Sequence, residues 1–106
     1  MNREELMDLF SERIRELLVR LPGNYEEVQE IRLRAEKPLL IRYGTGEYFV
    51  TEEGTLSKEE SKGFLVDKKE LMETMEYIAN YSLYAYEEEL KQGYLQVRGG
   101  PRIGVA

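Results

Sequence analysis

The chain has 106 residues, 42% of them hydrophobic, and a formal net charge of −6. These are the proportions of one globular domain, and the acidic balance disfavours phosphate backbones and anionic lipid surfaces as partners. There is no His and no Cys, which excludes disulfides, thiolate metal sites, a Cys nucleophile and an imidazole base or ligand, so acid–base chemistry would have to rest on Asp, Glu, Lys or Tyr.

Met1-Asn2-Arg3-Glu4-Glu5 has no signal-peptide apolar run, and no stretch approaches the ~20 apolar residues of a membrane span, so a cytoplasmic location is expected. Asn2 is placed to cap a helix whose first turn carries Glu4 and Glu5. Leu6, Phe10, Ile14, Leu17 and Leu21 recur at helical spacing until Pro22-Gly23, which predicts one amphipathic helix over 3–21 with Arg13, Arg15, Glu16 and Arg20 on its outer side.

Strands are predicted from about 28 to 50. Val28, Ile31 and Leu33 alternate with Arg32 and Arg34, so the apolar and basic side chains should leave on opposite faces. Pro38 interrupts, Leu39-Leu40-Ile41 resumes, and Gly44-Thr45-Gly46 reads as a hairpin turn into Tyr48-Phe49-Val50. The Glu/Lys/Ser-rich stretch 51–62 reads as a loop or ragged hairpin.

Phe64-Leu65-Val66 predicts a short strand at 63–66, and Asp67 with Glu70 predicts the capped start of a helix over 67–80 burying Leu71, Met75 and Ile78. Asn80-Tyr81 is expected to break it. Ser82 should then cap a helix over 83–92 that Gly93 ends. Strands follow at 94–98 and 102–106 around the Gly99-Gly100-Pro101 turn. An apolar strand directly after a tight turn calls for further chain to satisfy its backbone, so the sequence is expected to be the front of a larger protein. The elements sum to an α+β fold, a small mixed or antiparallel sheet with about three helices packed on it.

Few residues suggest chemistry. Consecutive helical positions diverge by about 100°, so Glu87, Glu88 and Glu89 should form a solvated face and not a metal site. Tyr77, Tyr81, Tyr84 and Tyr86 read as core with hydroxyls at the rim. Gly99-Gly100-Pro101-Arg102 joins a permissive backbone to a five-donor guanidinium, which suits an anion or a partner's carboxylate as well as a plain hairpin with a surface Arg. No Gly-x-x-x-x-Gly-Lys-Ser/Thr loop occurs, so no ATP hydrolysis is expected from this chain unaided.

Tyr81-Ser82-Leu83-Tyr84-Ala85-Tyr86-Glu87-Glu88-Glu89-Leu90-Lys91-Gln92-Gly93-Tyr94, followed by Gly99-Gly100-x-Arg102-Ile103-Gly104, resembles a block of the stage III sporulation protein AA family of endospore formers. Val28-Gln29-Glu30-Ile31-Arg32-Leu33-Arg34-x-x-x-Pro38-Leu39 is similar to an earlier block of the same family, and the likeness spans 26–106. Where the family has His before the Arg, this chain has Pro101, and Gln96 replaces a Thr-like residue.

The resemblance implies an N-terminal regulatory and assembly domain preceding a RecA-like ATPase domain with a P-loop, related to the hexameric traffic ATPases of secretion and pilus systems. ATP and Mg would then belong to the full-length protein, which would energise a membrane-associated sporulation apparatus from the mother-cell side. The partners implied are the ATPase domain of the same or a neighbouring subunit, in a homo-oligomer, a hexamer, of the full-length protein. Arg102, with Gly99 and Gly100, becomes the nucleotide-proximal or interdomain candidate, and Arg32, Arg34, Tyr84 and Glu88 become candidate interface residues. No catalytic or metal-binding residue is expected here. A nucleic-acid-binding module using the Arg32/Arg34 face and a protein-interaction adaptor are the alternatives.

Overall fold

The computed structural model describes residues 2–82 and 87–105, with side chains for all of these except 81, 82 and 87. Asn2 caps the first helix as expected, its side-chain oxygen accepting the Glu5 amide at 2.8 Å. The single helix expected over 3–21 is instead two, α1 at Arg3–Met7 and α2 at Glu12–Arg20. Burial explains the break: Leu6, Met7, Leu9 and Phe10 are all buried. On one straight helix these four would spread over about 160° of the circumference, wider than the usual apolar stripe. Leaving the helix after Met7 and restarting at Ser11 turns all four inward.

The strands are β1 (Val28–Arg32), β2 (Lys37–Pro38), β3 (Leu40–Tyr43), β4 (Gly46–Val50), β5 (Leu56–Ser57) and β6 (Leu65–Val66). After them come α3 (Lys68–Ser82), α4 (Glu87–Lys91), β7 (Tyr94–Gln96) and β8 (Arg102–Gly104). Six strands form one sheet in the order β5-β4-β3-β1-β8-β7, and β2 pairs with β6. The sheet is mixed, because β1 and β8 run parallel while its other pairs are antiparallel. Thus β8 has a partner on each side, β1 and β7, and its backbone groups are accommodated within this domain.

Register builds the core. Ile31 stands opposite Ile41 on one side and Ile103 on the other, and Leu95 stands opposite Ile103. All four are fully buried and join Leu6, Phe10, Ile14 and Leu17 from the first two helices in one cluster. The β3–β4 hairpin forms at Gly44-Thr45 as expected. Gly44 has φ +58°, the sign a two-residue turn needs at its first central position to match strand twist.

Asp67 and Glu70 make the expected reciprocal cap: the Glu70 amide donates to Asp67 Oδ1 at 2.7 Å and the Asp67 amide to Glu70 Oε1 at 3.3 Å. Asn80-Tyr81 does not end this helix, which runs through Ser82. Neither residue is a strong breaker, and no Gly or Pro follows at once. Met75, expected inside, is exposed. The inward position goes to Thr74, whose hydroxyl donates to the Glu70 carbonyl at 2.9 Å and accepts the Ser11 amide at 3.3 Å. A Thr with both bonds made is a stable core residue, which a pattern of apolar letters does not show. Tyr77, expected in the core stripe, is exposed too. The side chains of Tyr81, Tyr84 and Tyr86 lie outside the described residues.

Candidate interface on the open sheet face

Strand alternation that sends Ile31, Ile41 and Ile103 into the core sends their neighbours to the opposite face. There Glu30 stands opposite Arg42 on β3 and Arg102 on β8, Arg42 stands opposite Glu47, and Arg102 opposite Gln96. The result is one row across five strands, Glu47–Arg42–Glu30–Arg102–Gln96, with both signs of charge interspersed. Arg42, Glu47, Arg102 and Gln96 are exposed, so this face is open to solvent.

Glu30 is the exception, only 5% exposed. Arg32, on the same strand and the same face, clamps it: Nε donates to Oε2 at 2.8 Å and Nη2 lies 2.6 Å from the same oxygen. These charge-assisted contacts account for a carboxylate sunk into a sheet surface. Gly104 stands opposite Arg32 on β8, where even a Cβ would only reach van der Waals contact with the Arg stem, at 3.4 Å from Cγ. With Arg32 committed to Glu30, Arg42 and Arg102 are the two guanidinium groups beside the pair.

Arg102 is the first residue of β8 and lies over the Tyr94 ring, 4.2 Å from its centroid. A guanidinium on an aromatic face is held flat and keeps its donors pointing outward. The turn that delivers it uses its glycines for different reasons. Gly99 has φ +72° in a turn closed by the Gly100 amide donating to the Val97 carbonyl at 3.0 Å. Gly100 is needed for space, because a Cβ would lie 3.0 Å from both Tyr25 Oη and Val97 Cγ1. Gln96 Nε2 donates to the Val97 and Gly100 carbonyls at 3.2 and 3.1 Å. The turn is therefore braced by its own neighbours, and Arg102 follows it as an exposed residue.

The other expected site residues are dispersed. Arg34 is exposed beyond the end of β1. Glu88 pairs along α4 with Lys91 at 3.4 Å. Tyr84 lies outside the described residues. Glu89 is more than a solvated carboxylate: its Oε2 accepts the Gln96 amide at 2.8 Å and so covers part of the free edge of β7. Sequence reasoning missed Glu30, Arg42 and Tyr94 as parts of a site. Only Glu30 left a signal, its spacing of two from Arg32 in an alternating strand. Among the described residues, no three acidic side chains converge as a metal site would require.

These features define a class: a small α+β domain with one sheet face packed under helices and the other open, charged and centred on a clamped carboxylate. The model of the family described as sporulation stage III, protein AA, matches residues 1–106, and the chain belongs to that family. It is 33% identical over 104 residues to stage III sporulation protein AA of Bacillus subtilis (strain 168), an alignment covering 96% of this chain and 30% of that protein. The chain thus spans less than a third of the length of that relative. No solved structure matches it.

Proposed function

We propose that this domain is the regulatory and assembly part of a secretion-type ATPase acting in sporulation, and that its open sheet face contacts the ATPase domain of the same or a neighbouring subunit. Family membership and the short span relative to the Bacillus subtilis protein support a part within a larger machine. The observation that carries the reading is the placement of Arg102, exposed, stacked on Tyr94 and standing beside Glu30, whose charge Arg32 already meets. Such a guanidinium is preorganised to meet an anionic group from outside the domain. ATP and Mg would be held by the rest of the protein, and assembly into a homo-oligomer on the mother-cell side would bring the two surfaces together. A nucleic-acid role draws little from this face, because Arg32 is engaged and Glu47 adds negative charge next to Arg42.

The test is Arg102→Ala in this domain and in the full-length protein. In the isolated domain it removes one exposed stacking contact and should cost about 0.5–1 kcal/mol. In the full-length protein ATP turnover should fall at least about tenfold, with Arg102→Lys recovering only part of it if the external contact is bidentate. Turnover unchanged in the full-length variant, or lost only in proportion to unfolded protein, refutes the proposal.

A further inference from the structure

α3 buries one side against the core and leaves an apolar stripe on the other. Met72 is 55% exposed and Met75 36% exposed. With Lys68 and Ala79 they follow the spacing i, i+4, i+7, i+11 of one helix face, and Ala79 is exposed as well. Met72 occupies a special place in that stripe. Lys68 precedes it by four residues and Glu76 follows it by four, so a cation and a carboxylate flank it one turn away on either side. All three line a shallow surface groove with Lys69 and Glu73. Neither Lys68 nor Glu76 forms an ion pair among the described residues.

A helix face patterned cation–apolar–anion about a central residue is complementary to itself under a two-fold rotation, the requirement of an isologous interface. We infer that α3 is a contact between two copies of this chain, packed antiparallel across a two-fold axis at Met72. Lys68 of each copy then faces Glu76 of the other, giving two ion pairs from one pattern. Met75 of each copy lies against the methylene stem of Lys69 of the other. Methionine suits the centre of such a contact, since it is apolar and adapts its shape to a like neighbour. The same alignment sets the helix dipoles antiparallel. The net charge of −6 on each copy opposes association, so the two Lys–Glu pairs set the orientation of a weak, reversible dimer. This inference is independent of the role proposed for the open sheet face.

The chain contains no Cys, so Met72→Cys places a single thiol at the proposed axis, and mild oxidation should yield a disulfide-linked dimer of otherwise native protein. Sedimentation velocity of the 106-residue chain should show a concentration-dependent monomer–dimer equilibrium. Met72→Glu sets two like charges together at the axis and should raise Kd at least about tenfold. Lys68→Glu and Glu76→Lys should each weaken the dimer, and the two combined in one chain should restore it. Val19→Glu, at a position 48% exposed on α2, should leave Kd unchanged. The altered side chains are exposed, and unchanged circular dichroism establishes that each variant is folded. A monomer at every soluble concentration, a dimer indifferent to Met72→Glu, or a charge swap that fails to restore association overturns the inference.

Discussion

Truncating Ile31 to Ala tests the sheet at its centre. The side chain is 1% exposed and sits between Ile41 and Ile103 on the two flanking strands. Because β1 is hydrogen-bonded on both sides, its backbone cannot move in to fill the gap. Ile31 and Ile41 also line a partly open pocket of about 60 Å³ together with Leu6, Leu18 and Tyr25, so the lost volume would enlarge a gap in packing already present. Ile→Ala substitutions cost about 2–5 kcal/mol, and a site that cannot collapse belongs in the upper half of that range, about 3–5 kcal/mol. A domain of this size has only ~5–15 kcal/mol of stability in all, and each kcal/mol shifts the midpoint by about 4–8 °C. The melting temperature should therefore fall by on the order of 15 °C or more. Urea unfolding followed by tyrosine fluorescence suits the chain, which has 8 Tyr and no Trp. Gln29→Ala, at an exposed position of the same strand, is the control and should stay within about 0.5 kcal/mol of the parent. If Ile31→Ala and Gln29→Ala unfold at the same urea concentration with the same slope, the register assigned to β1 is wrong.

Gly100→Ala should destabilise by about 1–3 kcal/mol through the close approach of Tyr25 Oη and Val97 Cγ1, and Tyr25→Phe should relieve part of that cost by removing the hydroxyl. Tyr25→Phe alone should be close to neutral in a thermal melt, since the Tyr25 hydroxyl is buried with no hydrogen-bond partner among the described residues. Burial raises the Glu70 carboxyl above its ordinary value of 4.5, against the opposing hydrogen bond from the Asp67 backbone. The folded state then holds this proton to a higher pH than the unfolded chain does, so stability falls as pH rises through the window above 4.5 and returns on acidification. Glu70→Gln keeps the capping geometry without the charge; urea midpoints between about pH 5 and about pH 7 should fall less in the variant than in the parent. An identical pH dependence in the two proteins would refute this reading.

Local chemistry was the most readable level of the fold. The Asn2 and Asp67–Glu70 caps, the Gly44 turn and the glycine stop at Gly93, which has φ +91°, each depend on residues within a few positions of one another. The phase of β1 was readable too, because Ile31 and Leu33 could be buried together only if Arg32 and Arg34 faced the other way. What failed were decisions made by tertiary neighbours. Helical spacing from Leu6 to Leu21 persists across the break, and only the demand to bury Leu9 beside Phe10 divides the helix. Thr74 takes the place expected for Met75 because Ser11 and Glu70, distant and near in sequence, supply its bonds.

The open face shows where such reading stops and why. Period-2 alternation assigns a side chain to a face but not to a neighbour. That Glu30 and Arg32 share a face followed from β1 alone. That Arg102 stands beside Glu30 follows from the parallel pairing of β1 with β8, two segments at opposite ends of the chain, which no local pattern specifies. The same pairing sets Gly104 against Arg32, the residue that reaches Glu30. Resemblance marked Arg102, and the Gly99-Gly100 pair suited an anion or a partner's carboxylate as well as a plain hairpin with a surface Arg. Gly100 makes room for the Tyr25 hydroxyl, and Arg102 leaves from the strand, stacked on Tyr94. Arg32 already meets the charge of Glu30 and Arg102 is exposed, so under the role proposed for this face binding there should depend on Arg102.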